Sequence, residues 1–491
     1  MDTIKKTLRD SAAARWVALL IISLVMFAAY VTSDIFAPLQ TMLEENNLWN
    51  SIEFGWFAGS YSIFNVFLGM LIFGGFILDK KGVRFTGMLS CVLMVIGIAI
   101  KYYAITCIPV IDPATGAQNL GYFVGAHMKK QVIWVVIGFG IFGVGSEVAG
   151  ITVSKIIVKW FKGKEMAMAM GLQLALARLG SALALTVSPL IAAHYGNVSA
   201  SVMFALILLG IALVCFFFYC IQDKRLDKQL AENKLAAGET EDDAFSLKDV
   251  KAIVTNPGFW LIAFLCLIFY AAVSPFYQFA SSLMVNKFGV AEKWAGAIPA
   301  ILPFGCIILT PLFGRIYDKY GHGADLMIFG AVLITGVHLF FALPFTHAPW
   351  IAIILMILLG IGFAMLPSAM WPSLAKIIPE KQFGTAMALT YYIQNIGLWG
   401  VPMLIGWILN KYCILSTYNA ALPVRYPENP KYNYVLPMLT FAITCSIAII
   451  LAFCLKSLNG RKHYGLQEPN IKAEAKAEAE KEKDNEKEKE R

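Results

Sequence analysis

The sequence predicts an all-α integral membrane protein: twelve transmembrane helices in two parallel six-helix repeats, with both termini cytoplasmic. Three observations carry this. Of the 491 residues, 58% are hydrophobic and 15% charged, whereas a soluble globule carries about 25% charge. Windows of about 20 mostly apolar residues, enough to cross a hydrocarbon core about 30 Å thick, recur along nearly the whole chain. Landmarks of the first half return in the second.

The windows lie near residues 16–39, 53–78, 86–107, 131–155, 166–193, 200–221, 257–283, 295–316, 325–345, 350–376, 384–409 and 435–456. Lys and Arg in short loops stay on the cytoplasmic side. "IKKTLRD" at the start, "DKKGVR" after span 2, "KIIVKWFKGKE" after span 4 and "DKRLDKQ" after span 6 fall on one side, which is therefore the inside. The first apolar segment is too long for a signal-peptide core and shows no small-residue cleavage site, so it reads as a retained helix. The net charge of +8 belongs mostly to these loops, and topology with anionic lipid headgroups accounts for it without a nucleic-acid partner. Nine Cys without a C-x-x-C and six scattered His offer no ligand cluster, so no metal and no cofactor are expected. Cys107 and Cys413 form the one disulfide candidate, on the outer side.

A polar stretch from Gln222 to Asn256 divides the spans six and six. This sets an N-terminal bundle over 1–221, a linker over 222–256, a C-terminal bundle over 257–456 and a charged tail over 457–491. "GFILDKKGVR" from Gly75 matches "GRIYDKYGHG" from Gly314, both fitting G-x-x-x-D-K-x-G. "GVGSEVAG" from Gly143 matches "GIGFAMLP" from Gly360, and "AMGLQLALARLG" from Ala169 matches "AMALTYYIQNIG" from Ala386. Asp79 and Asp318 stand 239 residues apart but Gly143 and Gly360 only 217, so the first half carries 22 extra residues between those landmarks. The insertion is assigned to the outer loop around "CIPVIDPATGAQNLGYFVGAHM".

Two parallel repeats joined by a polar linker resemble the major facilitator transporters, whose signature is the G-x-x-x-D-[RK]-x-G-x-[RK] loop between spans 2 and 3. The resemblance implies that Asp79 and Arg84 help latch the two halves on the cytoplasmic side and release them as the transporter rocks. Asp318 is the weaker counterpart, because His322 and Gly323 depart from the basic end of the motif. Topology-setting charge is the competing account.

An ionisable side chain near a helix centre costs about 2.5 to 3.5 kcal/mol on insertion scales, so it persists where it faces protein or water. At 3.6 residues per turn, Arg178 shares a stripe with Gly171, Ala175 and Ala182, and Glu147 shares one with Gly140, Gly143, Ile151 and Ser154. Counted from the inner ends of their spans, the two lie about 14 Å (Glu147) and about 18 Å (Arg178) deep, within reach of one mid-membrane site. They can hold the amine and carboxylate of a zwitterion, Arg offering a bidentate fork, or neutralise each other as a structural ion pair. In the repeat register Asn395 stands opposite Arg178 and Ala364 opposite Glu147, so the second half contributes polar and aromatic candidates, Tyr277, Gln394 and Asn395. Asp34, about 27 Å along span 1 from residue 16, is placed near the outer mouth, where it attracts amines or simply ends a helix in water.

Two longer stretches narrow the resemblance. "GVGSEVAGITVSKIIVKWFKGKEMAMAMGLQLALARLGS" and "MWPSLAKIIPEKQFGTAMALTYYIQNIG" resemble the major facilitator domain-containing protein 1 family, lysosomal dipeptide transporters with relatives in bacteria. The resemblance implies that Glu147 and Arg178 hold the peptide amine and carboxylate, and that transport is facilitative. The chain lacks an acidic dileucine-like signal near its N-terminus, so the bacterial inner membrane is expected and the lysosomal membrane is the alternative; an accessory subunit is left open. The expected activity is alternating-access transport of short peptides, foremost dipeptides. Its rivals are an exchanger of small carboxylates or other organic anions, and a transporter-like receptor or assembly subunit that binds without transporting. No nucleophile with a base, metal cluster or phosphate loop suggests an enzyme.

Overall fold

A computed structural model of the chain describes residues 7–161, 165–237, 247–379, 382–422, 424 and 429–469. The centre of the linker, residues 162–164 of the W-F-K-G-K-E stretch and the Glu/Lys-rich tail from 470 onward lie outside the described residues. Span 1 is Ala12–Asn46 and span 2 comprises Ser51–Ser60, Ile63–Phe67 and the start of Met70–Cys107, whose remainder is span 3. Spans 4 to 6 are Lys130–Phe161, Met166–Tyr195 and Ser199–Ala237. Spans 7 to 12 are Pro257–Phe288, Ile301–Tyr320, Gly323–Ala342, Pro349–Ile377, Phe383–Tyr412 and Val435–Lys462. The twelve expected spans are thus present. Span 6 runs 16 residues past the expected boundary at 221, because Asp223 and Asp227 are held by Arg84 and Lys159 and keep the polar extension helical.

Helix starts and stops follow local chemistry. Pro257 opens span 7 behind an Asn256 side chain that accepts from Gly258 N, and Gly196 and Gly289 end spans 5 and 7 in left-handed conformation. The repeated loop motif has a local cause too. Gly82 and Gly321, its second glycine in each half, both take φ of +75°, a region closed to residues with a Cβ, and each turns the chain from one span into the next.

The packing partners repeat between halves. Span 1 packs on span 5 as span 7 does on 11; span 3 packs on 4 and 6 as span 9 does on 10 and 12. The halves meet where span 2 lies along span 11 and span 5 along span 8. We label as inner the end that carries both described termini. The 22-residue insertion folds on the outer end as a two-stranded hairpin, Leu120–Phe123 paired with Ala126–Lys129. It is clamped where Glu53 of span 2 accepts from both the backbone N and, at 2.7 Å, the Nζ of Lys129. Cys107 and Cys413 are both free thiols, so the candidate disulfide is not formed: Cys107 is exposed at the end of span 3 and Cys413 is buried.

Candidate functional site

A cavity of about 190 Å³ lies between the halves at mid-depth and is lined by both Glu147 and Arg178. Close helix contacts put them there. A Cβ at Gly143 would stand 1.9 Å from the Tyr61 carbonyl, and one at Gly180 2.5 Å from that of Phe27. Only glycine lets span 4 touch span 2, and span 5 touch span 1, this closely. Glu147, one turn after Gly143, and Arg178, two residues before Gly180, are thereby presented to the cavity.

Tyr61 sits at the break in span 2, between Ser60 and Ile63. Its Oη donates to Glu147 Oε1 at 2.9 Å and lies 3.2 Å from Ser146 Oγ. The Arg178 guanidinium lies 5.7 Å from the ring centroid of Tyr30 and 5.2 Å from that of Phe363, the second ring belonging to the opposite half. Both distances are within cation–π range. Among the described residues no carboxylate approaches Arg178 to within 4.0 Å, so the structure does not show the ion pair weighed for Glu147 and Arg178. The acid and the guanidinium face one cavity unpaired with each other.

From the second half, Tyr277, Gln278 and Gln394 line the same cavity. Asn395 does not line it. That side chain is 1% exposed and its Nδ2 donates to Tyr391 O at 2.9 Å within its own helix. One residue turns a helix by about 100°, so the repeat register matched Arg178 to the neighbour of the inward-facing residue, Gln394.

Asp34 is also corrected. It is 8% exposed, lines the cavity, accepts a hydrogen bond from Ser181 Oγ of span 5, and is approached at 3.5 Å by Gln278 Nε2 of span 7. Span 1 does not end near residue 39: after a 3-10 turn at Ala37–Leu39 it continues as Gln40–Asn46. This leaves Asp34 about 18 Å below the outer end of the helix, at 1.5 Å per residue. Ser181, three residues beyond Arg178, was not among the expected site residues, although i,i+3 spacing puts it beside Arg178 on the helix. The aromatic wall of Tyr30, Tyr61 and Tyr270 was not legible, since a tyrosine in an apolar span serves core, lipid interface or cavity equally well.

The gating candidates lie at the inner end. Asp79 pairs with Lys155 at 2.7 Å, their side chains 63% and 46% exposed. Arg84 pairs with Asp227 at 2.6 Å and Asp223 at 3.4 Å. Both contacts stay within the first half. Asp318 closes span 8 within the electrostatic reach of Lys376 of span 10, inside the second half.

Residues 19–402 match the family model described as Major Facilitator Superfamily. The chain is 30% identical over 423 residues to the lysosomal dipeptide transporter MFSD1 of Mus musculus, covering 83% of each chain. It is 30% identical over 420 residues to that of Homo sapiens, again covering 83% of each. Among solved structures it superposes on a bacterial homolog of the human lysosomal transporter Spinster, with a TM-score of 0.66, 13% identity and coverage of 91% of this chain and 98% of that one. It also superposes on a D-xylose–proton symporter, with a TM-score of 0.62, 17% identity and coverage of 90% and 96%. These two likenesses concern the fold. The chain is therefore a multi-pass membrane transporter, not an enzyme, and belongs to the Major Facilitator Superfamily, within the family of the lysosomal dipeptide transporter MFSD1.

Proposed function

We propose that the chain carries short peptides, foremost dipeptides, by alternating access around the central cavity, as a facilitative uniporter. The observation that carries the reading is the unpaired placement of Glu147 and Arg178 on one cavity wall. A zwitterion brings the two charges such a pair lacks: its carboxylate takes the guanidinium fork and its amine takes Glu147. Intramembrane ionisable groups are functional by default because their burial is costly. The volume of about 190 Å³ is below the 300 to 1,000 Å³ typical of drug-sized pockets, about the scale of a small solute. The names of the relatives support peptides as the cargo and a lysosomal membrane as the location; the bacterial inner membrane is the alternative, and imaging the tagged chain in its source cell separates the two. In this reading Asp79, Arg84 and Asp318 re-pair across the halves when the inner mouth closes.

The hydrogen bond from Tyr61 to Glu147 favours one rival, in which Glu147 is structural and Arg178 alone binds a small carboxylate. Thermal stabilisation of the purified protein separates the two. A ligand at 100 times its dissociation constant adds about 2.7 kcal/mol. Dipeptides are expected to stabilise, N-acetylated dipeptides and simple carboxylates are not, and Arg178→Ala and Glu147→Ala each abolish the response. Equal stabilisation by simple carboxylates with Glu147→Ala still responsive rejects the peptide reading.

A further inference from the structure

More than packing holds the outer end shut. Glu44, near the end of span 1, is 8% exposed. It forms an ion pair with Lys431 and accepts from Tyr432 Oη at 2.8 Å and from Gln40 Nε2 at 3.0 Å. Lys431 and Tyr432 lie on the connection between spans 11 and 12. Their backbone N–H groups both donate to Asn286 Oδ1 of span 7, at 2.8 and 3.1 Å, which fastens the connection to the second half. Tyr432 Oη in turn accepts from Ser51 Oγ, at the start of span 2, at 3.0 Å. One carboxylate of the first half is therefore bound by two donors of the second, across 387 and 388 residues of sequence.

We propose that Glu44, Lys431 and Tyr432 form a latch on the outer mouth, and that acidifying the outer compartment releases it by protonating Glu44. The groups facing Glu44 are Lys431 and Tyr432 from the connection, with Tyr434 beside Tyr432 at 6.4 Å between rings, Asn286 from span 7, Ser51 from span 2 and Gln40 from its own helix. Lys431 is the one cation in that set. Its partner charge vanishes on protonation, leaving a half-buried ammonium with a neutral acid, and charge-assisted bonds are the ones lost in that change. The closed outer mouth is accordingly favoured while Glu44 is ionised and weakens as pH falls. A transporter built this way opens its cavity toward the outer side more often when that side is acidified.

Nothing in this depends on the cargo, so the test uses no substrate and its failure is distinct from failure of the peptide reading. Hydrogen–deuterium exchange is followed on the full chain in lipid nanodiscs, corrected for intrinsic rates, at about pH 7.5 and about pH 3, the latter low enough to protonate a solvated carboxylate. Residues 40–60 and 429–434 are expected to exchange about tenfold or more faster at the lower pH, as loss of a charged hydrogen bond implies, while residues 323–342 keep their protection. Glu44→Gln is expected to exchange fast at both pH values. Unchanged protection in the parent chain, or a Glu44→Gln variant with the parent's pH response, overturns the latch. If Glu44→Gln loses protection in residues 323–342 as well, it has unfolded and Tyr432→Phe decides. That variant keeps the ion pair and must lower protection at neutral pH while remaining pH-sensitive; parent-like protection overturns the proposal.

Discussion

At the outer ends of spans 2 and 11, a Cβ at Gly55 would stand 2.7 Å from the Pro402 carbonyl and one at Gly406 2.2 Å from that of Ser51. At the inner ends of the same spans, a Cβ at Gly75 or Gly384 would meet nothing within 4 Å among the described residues. Spans 5 and 8 repeat the contrast: Gly296, just before span 8, would place a Cβ 1.9 Å from the Leu185 carbonyl, while Gly171 and Gly314 near the inner ends are open. The halves are wedged together at one end and splayed at the other. The same residue type is a packing requirement at one end and leaves free space at the other, so its place along the seam, not its identity, decides what a substitution does.

The sharpest way to break this contrast is Gly296→Val. Backbone cannot yield the space that a flexible side chain would, and overpacking costs about 1 to 3 kcal/mol, so the variant should unfold several degrees below the parent in detergent; an unchanged melting temperature means that the outer seam is looser than described. A smaller effect is expected from Asp79→Asn, which removes an exposed ion pair worth about 0.2 to 1 kcal/mol. A loss as large as that of Gly296→Val would show the inner end to be structurally engaged after all. Gly314→Ala should not destabilise the protein, since helix propensity favours alanine by up to about 1 kcal/mol. Substrate counterflow in liposomes sharpens the point, since a stable Gly314→Ala protein with slowed exchange would mean that the open inner glycines are needed when the mouth closes.

Much of this fold was legible because its signals are local. Hydropathy marked the spans, and the unequal spacing of the Asp79/Asp318 and Gly143/Gly360 pairs located an insertion that the structure folds as a hairpin. The stripes of Glu147 and Arg178 gave their faces. Asp34 was misplaced because the hydropathy window ended at residue 39 although the helix resumes as Gln40–Asn46, its polar Glu44, Glu45 and Asn46 hiding the continuation. Asn395 was misplaced because a repeat alignment off by one residue rotates a helix by about 100°. Tyr61 was unreadable, since the break that aims it at Glu147 depends on the Gly143 of another span.

The sequence by itself determined the twelve spans, the twofold repeat, the Gly82 and Gly321 turns and the inward stripes of the two mid-membrane charges. Each depends on composition or on a period of 3.6 residues, properties that a dozen consecutive residues carry among themselves. Only the tertiary structure decided that Glu147 is held by Tyr61 and not by Arg178, that Asp34 reaches the cavity, and that Glu44 meets Lys431. Those outcomes depend on which helices touch, at what depth and at what rotation. They are set by side chains up to 388 residues apart, between which an ångström of sliding or a fraction of a turn makes or breaks a hydrogen bond.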